Sequence, residues 1–287
     1  MTFFKPPVTI RLAQAQDRQD LANLIHFEEH VHRHLDWRGP LDWIGFPPYL
    51  VYEQRKELLA ALACPPDPPT VAWIRLFAVS HGLAIERAWD ILWSEALEQL
   101  QTMPDTQSVT ALALWPWFAQ LLEKHGFSSE NQVVMLSWDG QGPVVEHRPS
   151  ELLIRPMNFD DIGSVYAVDL AAFSPTWQNS RSSLELAFRQ AAFATVAEVG
   201  GQMIGYQIST ATPVGGHLAR LAVSPSSQGK GVGFALLNDL LTQLRRRSAR
   251  KVTVNTQKDN PASLSLYQKA GFHLTGETYP VFHYRLK

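Results

Sequence analysis

Gln228-Gly-Lys-Gly-Val-Gly233 has the make-up of an anion grip. It lies between a strand-like run, His217–Val223, and a helix-like run, Val232–Arg247. A strand, a glycine-rich turn and a helix start expose backbone N–H groups that point one way, and the helix dipole favours negative charge there. Glycine lets the backbone take positive φ and come close to a ligand. The chemistry implied is the holding of a phosphate or diphosphate. The run is not a Walker A loop, because its spacing differs and no Lys-Ser/Thr pair follows. Nor does it open a first βα unit with an acidic residue about twenty positions on, as a dinucleotide fold requires.

A second constellation comes after the helix. A strand-like run, Lys251–Gln257, leads into Asn260-Pro-Ala-Ser-Leu-Ser-Leu-Tyr267-Gln-Lys-Ala-Gly271-Phe272. Together, in this order, the two motifs resemble the GNAT N-acetyltransferase superfamily from about residue 151 to the C-terminus. The resemblance implies transfer of an acetyl group from acetyl-CoA to a primary amine of a small molecule or peptide by direct attack. It assigns the pyrophosphate to Gln228, Gly229, Lys230, Gly231, Val232 and Gly233. The pantetheine arm falls to the backbone of Leu221, Ala222 and Val223, as a peptide adds to a sheet edge. Asn260 and Ala262 of the second motif, and more weakly Asn255, join the cofactor contacts. Tyr267 matches the family's acid for the departing thiolate. Its bland alternative is a half-buried structural tyrosine with a satisfied hydroxyl.

The base is open. Ribosomal-protein N-terminal acetyltransferases carry a glutamate on the fifth strand, where this chain has Thr253. His217 has a suitable pKa range and begins the fourth strand, though a histidine without function is the plainer reading. Glu198 and a water chain are further options. Phe173 and Trp177 lie where the family faces its acceptor, with packing as the alternative. Acceptors left open are a small-molecule amine, a protein N-terminus and a mycothiol-synthase-like substrate. A non-enzymatic acyl-CoA sensor is the rival class.

These residues need elements to position them. The second half reads as a strand at Leu152–Pro156, helices near 160–171 and 180–191, and a hairpin turning at Gly200-Gly201. The fourth strand, the loop and helix, the fifth strand, the helix at 261–270 and a last strand follow. That βααβββαβαβ order implies a twisted mixed sheet flanked by helices. The first half is similar. Thr9-Ile-Arg-Leu parallels Leu153-Ile-Arg-Pro, Ala72–Val79 parallels Gly216–Val223, and Leu121–Phe127 parallels Leu266–Phe272. The expectation is an α+β chain of two tandem GNAT-like domains, 1–138 and 151–287, joined by a linker at 139–150.

The first copy has lost the grip. Ser80-His-Gly-Leu-Ala-Ile-Glu86 keeps one glycine, Glu86 carries the wrong sign for phosphate, and Leu122 replaces the tyrosine. Its expected roles are packing and shaping an acceptor cleft. Trp37, Trp43, Phe46, Tyr49 and Tyr52 are expected mostly in its core. His26, His30, His32 and His34 read as a solvated helix face, since no third ligand stands at metal spacing. Arg245–Lys251 reads as a helix C-terminus rather than a nucleic-acid patch, because the net charge is −2. One cysteine, Cys64, sits in an apolar run. No run of about eighteen apolar residues and no signal-peptide pattern is present, so the expectation is cytoplasm, with no membrane, metal or nucleic acid. Monomer and homodimer both remain open.

Overall fold

A computed structural model describes residues 8–140, 151–213 and 215–286. The chain forms two compact units, Met1–Glu130 with Pro280–Lys287, and Asn131–Tyr279. Residues 141–150 of the expected linker lie outside the described residues.

The first unit contains β1 (Val8–Leu12), α1 (Arg18–Phe27), β2 (His30–Arg33), β3 (Tyr49–Gln54), β4 (Glu57–Ala63), β5 (Val71–Trp73), β6 (Leu76–Val79), α2 (Ile85–Gln101), β7 (Ser108–Leu112) and α3 (Pro116–Lys124). Strands in the order β1-β3-β4-β6-β2 form an antiparallel sheet. β5 runs parallel to β7, and Val281–Arg285 pair antiparallel with β7. The single strand expected at Ala72–Val79 is therefore two strands in two sheets. The reason is local: Ile74 N–H donates to the Thr110 carbonyl, while the next amide, Arg75, donates to Ala63. Adjacent N–H groups find different partner strands, so the chain splits the sheet there. α2 buries Ala88, Trp89, Leu92, Ala96 and Leu100 at helical spacing against this core.

Two expectations for this unit need correction or detail. The histidine cluster is not a helix face. α1 ends at Phe27, and His30–Arg33 form a strand. His32 is buried and stacks on Phe118 at 4.0 Å between ring centroids. The strand wins because His30 and His32 alternate with Val31 and pair antiparallel with β6. Among the expected core aromatics, Trp43, Tyr49 and Tyr52 are buried, whereas Phe46 is 45% exposed.

The second unit contains the greater part of β8 (Ser128–Trp138), then β9 (Leu153–Pro156), α4 (Ile162–Ala172), α5 (Arg181–Gln190), β10 (Phe193–Val199), β11 (Gln202–Thr212), β12 (Gly215–Val223), α6 (Val232–Arg246), β13 (Lys251–Gln257), α7 (Pro261–Lys269) and the start of β14 (His273–Arg285). From β9 the sheet order is β10, β11, β12, β13 and β8, with β14 following. β12 and β13 are parallel, and the pairs from β9 to β12 and between β13 and β8 are antiparallel. α6 packs Leu237, Leu240, Leu241 and Leu244 onto Leu218, Val252 and Val254. The basic run at its end is packed too: Arg245 lies over Trp138 and Arg247 over Phe193.

The two units share local devices that the paired sequence runs encode. In the first, Arg11 bridges Asp17 and Glu53, and in the second Arg155 bridges Asp161 and Glu198. α3 closes with Phe127 N–H on the Leu122 carbonyl, and α7 closes with Phe272 N–H on Tyr267. The glycine before each phenylalanine, Gly126 or Gly271, takes the positive φ that such a helix end requires. No helix of the described residues is long and apolar enough to cross a membrane.

Candidate active site

The end of β12 is where the site begins. β12 pairs with β13 over Gly215–Leu218 and with β11 up to Val223. Beyond Leu218 the two parallel strands part, so Leu221, Ala222 and Val223 lie beyond their pairing with β13. Asn255–Gln257 on β13 pair with β8 on their other side. A wedge thus opens at the carboxyl ends of parallel strands, with the helix starts of α6 and α7 following directly. Open α/β sheets bind ligands at such positions.

The glycine-rich loop forms one wall. Gly229 and Gly231 have φ of 74° and 83°, a left-handed conformation that side chains with a Cβ resist. Gly231 is the residue before α6. Ala235 N–H is bonded back to the Gly231 carbonyl. The preceding amides of Val232, Gly233 and Phe234 belong to the helix turn that has no intrahelical acceptor. Gln228 differs from its expected part: its amide donates to Pro225 and its side chain to the Val223 carbonyl, 3.1 Å away. It buttresses the loop. A Cβ on Gly233 would lie 3.4 Å from Leu266 and 3.6 Å from Val223, so α6, α7 and the end of β12 are in close contact. These features fit a diphosphate followed by an extended amide-bearing arm.

The second motif forms the other wall. Asn260 caps α7, its Oδ1 accepting from Ser263 N–H at 3.0 Å, with Pro261 in the first turn beside Ala262. Tyr267 is buried. Burial raises its phenol pKa, while the positive charge of Arg220 pulls it down. The phenol is therefore protonated at neutral pH and able to donate. Among the described residues its oxygen has no hydrogen-bond partner.

His217 faces Thr253 across the parallel pair, with Nδ1 2.9 Å from the Thr253 hydroxyl. Burial lowers its pKa, and hydrogen bonding with the Asn255 side chain and Thr253 opposes that. A bulge at Ala219 shifts the register between β11 and β12. It puts His217 and Arg220 on one sheet face, although residues three apart on a regular strand point oppositely.

Sequence reasoning missed the charged cluster on that face. Asp169 of α4 is fully buried. It accepts two hydrogen bonds from Arg220, each 2.8 Å, one from Asn179 N–H, and one from the Tyr206 hydroxyl. Arg220 also donates to the Trp177 carbonyl and lies 3.5 Å from the centre of the Phe173 ring. Removing one partner of such a buried pair costs about 3–5 kcal/mol. The available signal was one acid in the apolar run Val168-Asp-Leu-Ala and one base in Leu218-Ala-Arg-Leu-Ala. Phe173 and Trp177 are thus brought together by Arg220. Glu198 is not part of this group: its carboxylate is held by Arg155 at 2.5 Å, and the equivalent ion triad in the first unit makes that bond a property of the fold.

The first unit has different chemistry at the matching positions. α2 starts after Ala84 rather than a left-handed glycine, Glu86 sits in its first turn, and Leu122 is buried. Cys64 is buried and its thiol pKa is raised to about 12, so it remains an unreactive thiol. Among the described residues no group of three His, Cys, Asp or Glu residues could hold a metal.

Comparison with known proteins bears on this geometry. Residues 162–272 match the acetyltransferase (GNAT) family model. A putative ribosomal protein bS18 alanine N-acetyltransferase of Bacillus subtilis is 24% identical over 43% of this chain and 82% of its own length. A mycothiol acetyltransferase of Geodermatophilus obscurus is 27% identical over 55% of this chain and 57% of its own. Among solved structures, a GCN5-related N-acetyltransferase of Sphaerobacter thermophilus superposes with a TM-score of 0.64 at 16% identity, covering 98% of this chain and 96% of that one. A tandem GNAT protein of the clavulanic acid biosynthesis pathway gives 0.64 at 17% identity, covering 98% and 99%. At these identities the structural likenesses establish the fold.

Proposed function

We propose that the second unit, whose residues 162–272 match the acetyltransferase (GNAT) family model, transfers an acetyl group from acetyl-CoA to a primary amine. The observation that carries this reading is the parting of β12 from β13 beside the left-handed glycines that open α6. The amides around Gly229–Phe234 hold the diphosphate. The backbone of Leu221–Val223 aligns the amide-bearing arm. Acetyl-CoA supplies the thioester, and the amine must be neutral to attack its carbonyl carbon. His217, kept uncharged by burial, takes the amine's proton directly or through water. Tyr267 gives its proton to the departing sulfur and regains one from solvent. Phe173 and Trp177 flank the acceptor. The first unit binds no acetyl-CoA, since its matching helix start lacks the grip.

Calorimetric titration with acetyl-CoA is expected to give one site per chain. Thiol release with a panel containing an alanyl peptide and small-molecule amines is expected to show turnover with at least one. Two binding sites would overturn the assignment to a single unit. Binding without turnover by any amine would favour an acyl-CoA sensor.

A further inference from the structure

We propose that Arg220 is the positioning residue that sets the acceptor wall, by fastening the Phe173–Asn179 segment to β12 through Asp169. This rests on the acetyl-transfer reading above. Five contacts meet in the cluster. The guanidinium makes a bidentate bond to Asp169, donates to the Trp177 carbonyl at 2.7 Å and lies against the Phe173 ring. The carboxylate also binds Asn179 N–H and the Tyr206 hydroxyl. The cluster therefore grips the segment at its beginning, middle and end.

The chemistry of the residues suits this task. A guanidinium is planar, so it can fork to a carboxylate and still present its face to a ring. Lysine carries the same charge without the fork or the flat stacking surface. Asp169 neutralises the cation, so the wall presents ring surface rather than a free charge. The clamp also reaches the acid, because the charge of Arg220 acts on the Tyr267 phenol. β12 thus carries the open edge at Leu221–Val223, and the residue just before that edge holds the acceptor wall. A shift of that wall misplaces the amine relative to the thioester carbonyl, and displacements of about 1 Å cost on the order of a hundredfold in rate.

The test compares the full-length wild type with R220K, R220Q and D169N/R220Q. R220Q strands a buried carboxylate, so the double variant, which leaves a neutral pair, is measured beside it. The expected result with an amine that turns over is a KM for the amine at least tenfold higher in R220Q and the double variant. The KM for acetyl-CoA is expected to stay within twofold, with R220K in between. Amide hydrogen exchange of Phe173–Asn179 is expected to accelerate at least tenfold, with the first unit unchanged. Unchanged exchange overturns the proposal. So does faster exchange with an unchanged amine KM, which marks the clamp as structural only. Absence of turnover by the wild type with every amine overturns the acetyl-transfer reading and the acceptor role with it. Wild-type turnover with unaltered variant kinetics overturns the Arg220 assignment alone.

Discussion

The imidazole of His217 and the hydroxyl of Thr253 meet at 2.9 Å, across the parallel pairing of β12 and β13. That contact orients the ring just before the two strands part. It gives position 253 a part in aiming a base that it could not itself supply.

Burial depresses the His217 pKa, so the imidazole stays neutral as pH falls below the ordinary histidine value of about 6.5. As a base it works only when neutral. The acidic limb of kcat/KM is therefore expected below that value. The Asn255 side chain raises the pKa by favouring the charged ring, so N255A is expected to move the limb to lower pH. H217Q is expected to cost roughly a hundredfold in kcat, the lower range for a lost general base. A pH–rate profile of H217Q that matches the wild type in height and shape would remove His217 from the mechanism.

Tyr267→Phe keeps the ring that packs with Phe272 in the core beside α6 and removes the phenolic oxygen. The expected result is a fall of about 10² in kcat, with acetyl-CoA affinity within a few-fold of wild type. Stopped-time thiol release gives the first quantity and calorimetry the second. Equal losses in both would mean that the hydroxyl contributes to binding rather than to proton transfer.

Gly231→Ala puts a Cβ on a residue with φ of 83°. A left-handed conformation costs an ordinary residue roughly 1–2 kcal/mol. Relaxation of that strain turns the amides that open α6 away from the diphosphate. The variant is expected to melt a few degrees lower and to bind acetyl-CoA at least tenfold more weakly. The same change at Gly200, in the β10–β11 hairpin with φ of 57°, carries similar strain far along the chain from the loop and is the control. It is expected to lower stability without altering affinity.

Much of this was legible in the sequence because short-range rules govern it. The loop glycines and the Gly-Phe helix ends are encoded within a few residues and stand at the start of α6 and the ends of α3 and α7, whereas Asn260, expected as a cofactor contact, has its side chain capping α7. Properties set by distant partners were not. The split at Ile74-Arg75 depends on which strand accepts each amide, and alternating apolar residues look the same on either side of such a break. The strand at His30–Arg33 takes its pairing from β6, more than forty residues on. The Asp169–Arg220 pair joins α4 to β12, and only a bulge at Ala219 turns the arginine towards it.

His32 offers a test of the first unit without any ligand. It is fully buried, its Nε2–H donates to the Ile74 carbonyl at 3.1 Å, and its pKa is lowered to about 4 by burial. The unfolded chain binds a proton at this position near pH 6.5, so between the two values unfolding takes up a proton. Stability from this group is present above the unfolded value and is lost as pH falls towards the folded one. The full interval is worth roughly 3 kcal/mol at about 1.4 kcal/mol per unit. His32→Phe retains a flat ring against Phe118 but forfeits the bond to Ile74. It is expected to be about 1 kcal/mol less stable than wild type at pH 7. Because it has no proton to take up, it is expected to become the more stable protein below about pH 6. Denaturant unfolding followed by tryptophan fluorescence, repeated from pH 7.5 to 4.5, measures both curves. His34, His217 and His283 also have lowered pKa values and remain in the variant, so its curve still declines with acid, but less steeply. Two parallel curves would show that the imidazole is hydrated or protonated in the folded state, contrary to its burial between β6 and α3.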